Sequence, residues 1–116
     1  MTESSPQACL AERQCVPCQG GTPPLEAKQI AAYHREVPAW EVVENHHIRR
    51  TFRCDDFVQA LDFTNRVGQL AEHQGHHPDV HLSYGEVVVE LCTHKIDGLS
   101  ESDFILAAKI DALPGA

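Results

Sequence analysis

The sequence predicts an α+β domain of two layers, an antiparallel sheet of about four strands with helices packed on one face. Three observations predict it. Two pairs of short alternating or β-branched runs are each joined by a tight-turn pattern, which argues for antiparallel neighbours. Each pair is followed by a stretch whose apolar residues recur every three or four positions, the period of a core-facing helix. The chain has 116 residues, of which 42% are hydrophobic and 22% charged, enough for one compact core.

Residues 1–21 are rich in Ser, Gln, Gly, Pro and Cys and show no apolar period, so a flexible tail is expected there, with the domain spanning 22–116. The tail carries Cys15-Val16-Pro17-Cys18, with Cys9 upstream. A C-x-x-C is either half of a zinc site or an incidental, weakly redox-active pair, and no second C-x-x-C follows. Thr22-Pro23-Pro24-Leu25 opens the first helix, since Thr22 can cap it and proline is tolerated in a first turn. Leu25, Lys28 or Gln29, Ala32 and Tyr33 follow at helical spacing, and Pro38 stops the helix by Val37. Trp40 to Val43 reads as a strand, Glu44-Asn45-His46 as a turn and Ile48 to Arg53 as the antiparallel partner.

The second helix begins at Cys54 or Asp55. Phe57, Leu61, Thr64, Val67 or Gly68 and Ala71 give its apolar stripe, and Gly75 stands where a stop is expected. Val80, Leu82 and Tyr84 then alternate with Asp79, His81 and Ser83, and Gly85-Glu86 makes the turn. Val87 to Thr93 is the strongest strand, being rich in β-branched residues. Ser100-Glu101-Ser102-Asp103 is a capping-box pattern with Asp in place of Glu, and it opens a final helix that ends at Pro114-Gly115. The helices and strands thus fall as β-β-α repeated, preceded by an N-terminal helix.

Composition narrows the function. Nine Lys and Arg stand against 17 Asp and Glu, a formal charge of −8, which repels a phosphate backbone and argues against nucleic-acid binding. Arg49, Arg50 and Arg53 cluster locally and are expected to be solvated strand-end charges. No apolar run approaches the roughly 20 residues needed to span a bilayer, so no membrane association is expected. The first residues lack the basic and apolar regions of a secretory signal. Five cysteines, an odd count, with Cys54 and Cys92 inside predicted elements, fit a reduced, cytoplasmic protein.

The chemistry concentrates in Glu72-His73-Gln74-Gly75-His76-His77-Pro78, followed by His81 and His94. Imidazoles in such density hold a metal or move protons. A catalytic zinc site needs three protein ligands, but the pattern is not H-E-x-x-H, and Gly75 and Pro78 break the helix that an i, i+4 pair requires. Proton transfer asks for less. Adjacent histidines on an extended segment splay apart, His94 arrives from a separate strand end, and Glu72 and Asp103 can each orient a ring through its second nitrogen. Such a site suits elimination of water.

Glu72, three residues, His76-His77-Pro78, five residues, Tyr84, nine residues, His94, eight residues and Asp103 make up a pattern that resembles the signature of pterin-4a-carbinolamine dehydratases. Trp40 ahead of the first strand pair and the helix start at Ser100 also fit, and the resemblance covers about residues 22 to 113. It implies an enzyme that eliminates water from 4a-hydroxytetrahydropterin to give quinonoid dihydropterin, recycling tetrahydropterin for aromatic amino acid hydroxylases. It implies no metal and no cofactor, the pterin being the substrate. His76, His77 and His94 are then the catalytic residues, with Glu72, Pro78, Asp103 and Trp40 as binding or orienting residues. The resemblance implies a homodimer or homotetramer as well. The alternative is a non-catalytic assembly or dimerisation partner on the same fold.

Overall fold

The computed structural model describes residues 10–15 and 23–116. Four strands form one antiparallel sheet: β1 (Glu41–Val43), β2 (His47–Arg53), β3 (Asp79–Ser83) and β4 (Glu86–Leu91), in the spatial order β1-β2-β4-β3. Three α-helices accompany it, α1 (Ala27–His34), α2 (Phe57–Gln74) and α3 (Glu101–Asp111), with short 3-10 turns at Leu10–Glu12 and His94–Ile96. The predicted α+β class and the doubled β-β-α order are what the chain forms.

Each local choice has a visible cause. Glu44 and Asn45 both adopt φ of 54°, the doubly left-handed turn that matches the twist of a tight hairpin, and β1 pairs with β2 across it. Along β4, Val87, Val89 and Leu91 are buried while Glu86, Val88 and Glu90 lie on the open face. Asp56 caps α2 by accepting from the Gln59 amide at 2.9 Å. Gly75 ends α2 at φ 67°, a left-handed position that glycine adopts without strain. The core joins Ile48, Phe52, Val89 and Leu91 of the sheet to Phe63 and Val67 of α2 and Phe104 and Leu106 of α3.

Three expectations are corrected. The first helix does not open at Pro23-Pro24, and the proposed cap Thr22 lies outside the described residues. Leu25 instead donates its amide to the Leu99 carbonyl in an extended run, and Glu26 with Gln29 forms the capping box of a helix that starts at Ala27. The buried stripe of α2 is Ala60, Phe63, Val67 and Ala71, so Phe57 and Leu61 point outward at 44% and 40% exposure, beside Val58 at 65%. The tail expected over residues 1–21 is not a tail at residues 10–15. Leu10 is buried, and the Lys109 ammonium of α3 donates to the Ala11 carbonyl at 2.8 Å. The reason lies in α3, which is buried around most of its circumference and needs cover on its outer side. The Leu10–Glu12 turn and α1 pack there, with Tyr33 stacked on Phe104 at 5.4 Å between ring centroids. Cys9 and Cys18 lie outside the described residues.

The arginine cluster is paired. Arg49 reaches Glu41 and Glu90, Arg53 reaches Glu86, and Arg50 donates to Asp111 while lying over the Phe52 ring. Among the described residues, no helix is long and apolar enough to cross a membrane.

Candidate active site

The end of α2 and the end of β4 meet at a cavity of about 240 Å³ lined by Gly75, His76, His77, Thr93, His94 and their neighbours Cys92 and Lys95. Gly75 reverses the chain so that the His76 amide donates back to the Ala71 carbonyl, which fixes where the two histidines leave the helix. They splay as an extended pair must. His76 turns inward, its side chain 15% exposed, and His77 turns to solvent.

Each ring meets one carboxylate. His76 Nε2 lies 2.6 Å from Asp103 Oδ1, and Asp103 has no exposed surface. The other oxygen, Oδ2, accepts from the Thr93 hydroxyl at 2.8 Å and from the Ser100 amide at 2.9 Å. Asp103 therefore does two jobs at once. It closes the capping box of α3 and it holds His76, joining the helix start, the strand end and the histidine loop at one carboxylate. Because a carboxylate only accepts, the His76 proton sits on Nε2 in the neutral ring, and Nδ1 keeps the lone pair. His77 Nε2 is 3.0 Å from Glu72 Oε1, an exposed pair one helical turn back.

His94 begins the 3-10 turn after β4 and is 72% exposed. Its Nε2 lies 3.9 Å from Asp79 Oδ2 and its Nδ1 3.9 Å from Cys92 Sγ. Its position is set from below. Thr93 pairs with Gly98 across the turn and is hydrogen-bonded through its hydroxyl to Ser100 and Asp103. A second cavity, also about 240 Å³, lies on the other side of His94 and is lined by His46, His47, Asp79, Glu90, Leu91 and Cys92.

The remaining candidates fall elsewhere. Trp40 is buried in the core, donating its indole N–H to Asp111 at 2.8 Å and meeting Phe52 edge-on, away from the cavity lining. Pro78 leads into β3 without lining the cavity, Tyr84 sits at the β3–β4 turn, and His73 and His81 are exposed. Among the described residues, no three His, Cys, Asp or Glu side chains converge as a metal site. Sequence reasoning missed Thr93 and Cys92 as site residues. Their only signal was adjacency to His94.

Three groups near these elements are pushed up in pKa. Burial raises the Cys15 thiol to about 11, against a lowering by Lys109 and a further rise from Asp103. Burial also raises Cys92 and Tyr33, helped by Asp103 beside the first and Glu101 beside the second. An acid raised above its unfolded value contributes fully below that value and loses the contribution as pH climbs through the folded one. The unfolding midpoint should therefore fall between pH 9 and pH 11 under reducing conditions, and Cys15→Ser should flatten part of that fall. Parallel thermal melts across this range check it, and identical slopes for the two proteins would contradict it.

The family pattern described as pterin 4 alpha carbinolamine dehydratase matches residues 23–113. A protein of Rubrobacter xylanophilus, provisionally named pterin-4-alpha-carbinolamine dehydratase, is 56% identical over 104 residues, covering 90% of this chain and 97% of its own. One of Alkaliphilus metalliredigens with the same provisional name is 53% identical over 103 residues, covering 88% and 93%. The crystal structure of a transcriptional coactivator/pterin dehydratase from Brucella melitensis superposes with a TM-score of 0.72 at 31% identity, over 77% of this chain and 96% of that one. A pterin dehydratase-like protein identified as a RuBisCO assembly factor in the alpha-carboxysome shares the fold, with a TM-score of 0.57 at 22% identity over 67% and 92%. With this coverage and identity, the chain belongs to the pterin 4 alpha carbinolamine dehydratase family.

Proposed function

We propose that this chain eliminates water from 4a-hydroxytetrahydropterin by histidine acid–base catalysis, without metal or cofactor. The observation that carries the reading is the buried Asp103 holding His76 by Nε2, with His94 on the same cavity. His76 Nδ1 is the base. It takes the proton from the ring nitrogen bonded to C4a, while Asp103 steadies the imidazolium that forms. His94 is the acid. It protonates the 4a-hydroxyl as the C4a–O bond breaks, and the electron pair of the former N–H bond closes the C=N bond of quinonoid dihydropterin. One proton enters and one leaves, so the two rings exchange roles and are reset through solvent. His77, fixed by Glu72, binds and orients the substrate from the rim.

In this reading the product is an oxidised pterin that requires reduction, which fits a role in tetrahydropterin recycling for aromatic amino acid hydroxylation, with a cytoplasmic setting as part of the proposal. Mixing the protein with chemically generated 4a-hydroxytetrahydropterin and following quinonoid dihydropterin by absorbance tests the reading. Turnover that survives chelator treatment supports it. Turnover abolished by chelator and restored by zinc would overturn the metal-free mechanism.

The chain also acts as a homodimer or homotetramer in this proposal. Phe57, Val58 and Leu61 leave an apolar strip on the outside of α2 that one chain does not bury. Val58→Asp should lower the sedimentation mass while each chain keeps its native circular dichroism, and the unfolding midpoint should fall toward that of the isolated chain; an unchanged mass would place the contact elsewhere. The same strip is what a non-catalytic assembly role would use, and the dehydration assay separates that reading from the enzymatic one.

A further inference from the structure

Residues 10–15 run across the outside of α3 and end at the joint between α2 and α3. At that joint Cys15 touches both helices. Its backbone amide donates to Gln74 Oε1 at 3.0 Å, and its thiol donates to the Ser102 carbonyl at 3.6 Å. Gln74 stands two residues before His76, and Ser102 one residue before Asp103. The segment therefore bridges the two backbone positions that carry the imidazole–carboxylate pair, whose members are 27 residues apart in the chain and meet at 2.6 Å. Gln74 completes the bridge by donating from Nε2 to Gln14 Oε1 at 3.4 Å.

We propose that residues 10–15 are a strap that positions His76 against Asp103, with Gln74 as the positioning residue through which it acts. The proposal rests on the dehydratase reading above and adds to it a residue outside the family pattern's motif positions. It also gives a role to a segment that lies before the matched residues 23–113.

Several features of the segment suit a fixed brace. It is anchored at its far end by buried Leu10 and by the Lys109 contact to Ala11, and in its middle by the ion pair of Arg13 with Glu101 at the start of α3. The thiol, pushed up to about 11 by burial, stays protonated at neutral pH and remains a donor. No thiolate charge is thereby added behind Asp103. Freed of the strap, the α2 end keeps its Gly75 turn, but the side chain of Gln74 loses the partner that ties it to α3. Small displacements of a reacting group are costly, since a shift of about 1 Å can lower a rate by about 10²-fold.

The test uses the full chain. Gln74→Ala removes the acceptor for the Cys15 amide, whereas Gln74→Glu keeps it, and the Gln14 amide can turn to donate to the second carboxylate oxygen. Gln74→Ala should lower kcat about tenfold with KM held within about twofold, since the lost interaction serves the reacting geometry and not ground-state binding. Gln74→Glu should recover most of the loss. The proton shared between His76 Nε2 and Asp103 gives a downfield resonance, which should weaken or move in Gln74→Ala and return in Gln74→Glu. Lys109→Met, which releases the other end of the strap, should move the same resonance in the same direction.

A wild-type resonance and wild-type turnover in Gln74→Ala would overturn the proposal. So would a loss of turnover that follows the unfolding midpoint alone and leaves the resonance in place. If the wild-type protein dehydrates no pterin, the reaction assignment fails, and the resonance still decides whether the strap positions the pair.

Discussion

A His94→Ala variant is expected to stay folded and to dehydrate 4a-hydroxytetrahydropterin about 10² to 10⁴ times more slowly than the wild type. The side chain is 72% exposed and its ring contacts, to Asp79 and Cys92, are both 3.9 Å long, so little of the fold depends on it. The turn beneath it is held by Thr93, Gly98, Ser100 and Asp103, none of which the substitution touches. What the substitution removes is the group that protonates the leaving hydroxyl. Kinetics at saturating substrate and a thermal melt of the same preparation make the comparison, and a folded variant with undiminished kcat would sink the assignment of His94.

Asp103→Asn is the second large effect, and it strikes both stability and catalysis. The amide matches the carboxylate in shape but not in bonding. One side of it must donate, and the Oδ2 side faces the Ser100 amide and the Thr93 hydroxyl, both donors in the native arrangement. The hydroxyl can turn, but the backbone N–H cannot. A buried unmatched donor of this kind costs about 1–3 kcal/mol, and the bond lost is the one by which Asp103 closes the α3 capping box. Flipping the amide relieves Ser100 only by turning its NH₂ toward His76 Nε2, which reverses the tautomer that leaves Nδ1 free. Turnover should therefore fall on the order of 10² or more, as expected when a histidine loses the carboxylate that orients it. Urea unfolding and kcat together give the answer. An unchanged midpoint with unchanged turnover would show that Asp103 neither caps the helix nor orients the ring.

Much of the architecture was legible before any coordinates. The alternation of Val80, Leu82 and Tyr84 with Asp79, His81 and Ser83, and the run Val87 to Thr93, predicted strands where β3 and β4 stand, although Tyr84 falls in the turn and β4 begins at Glu86 and stops at Leu91. Ser100 and Asp103 marked the start of α3, because a capping box has a fixed spacing of three residues. Other features depend on tertiary contacts that no local period encodes. The inner position of β4 beside β2 is a pairing of residues far apart in sequence. Residues 10–15 carry one buried apolar residue, Leu10, and one residue has no period. The phase of α2 slipped at its start, where Phe57 and Leu61 are apolar yet face outward. Apolar residues that suit an interface look the same in sequence as those that suit a core.

The site was legible in its parts and not in its joints. The spacing from Glu72 to Asp103 picked out His76, His77 and His94, which line one cavity, and two carboxylates that each meet one imidazole, while Pro78 and Tyr84 of the same pattern do not line it. That Asp103 serves His76 and Glu72 serves His77, and not the reverse, follows from Gly75, whose left-handed turn sends the first histidine inward. Trp40 carried no such constraint, and it is buried against Phe52 and Asp111 instead.

The central claim is that His76 and His94 act together as base and acid. A double-mutant cycle in the stopped-flow dehydration assay tests it most directly, comparing wild type, His76→Ala, His94→Ala and the double variant, each shown to be folded. Residues that act as a unit give strongly non-additive losses. Each single variant should lose about 10²-fold or more, and the double variant should lose little beyond the worse of the two. Turnover near the wild-type level in either folded single variant would contradict the account, as would losses that simply multiply.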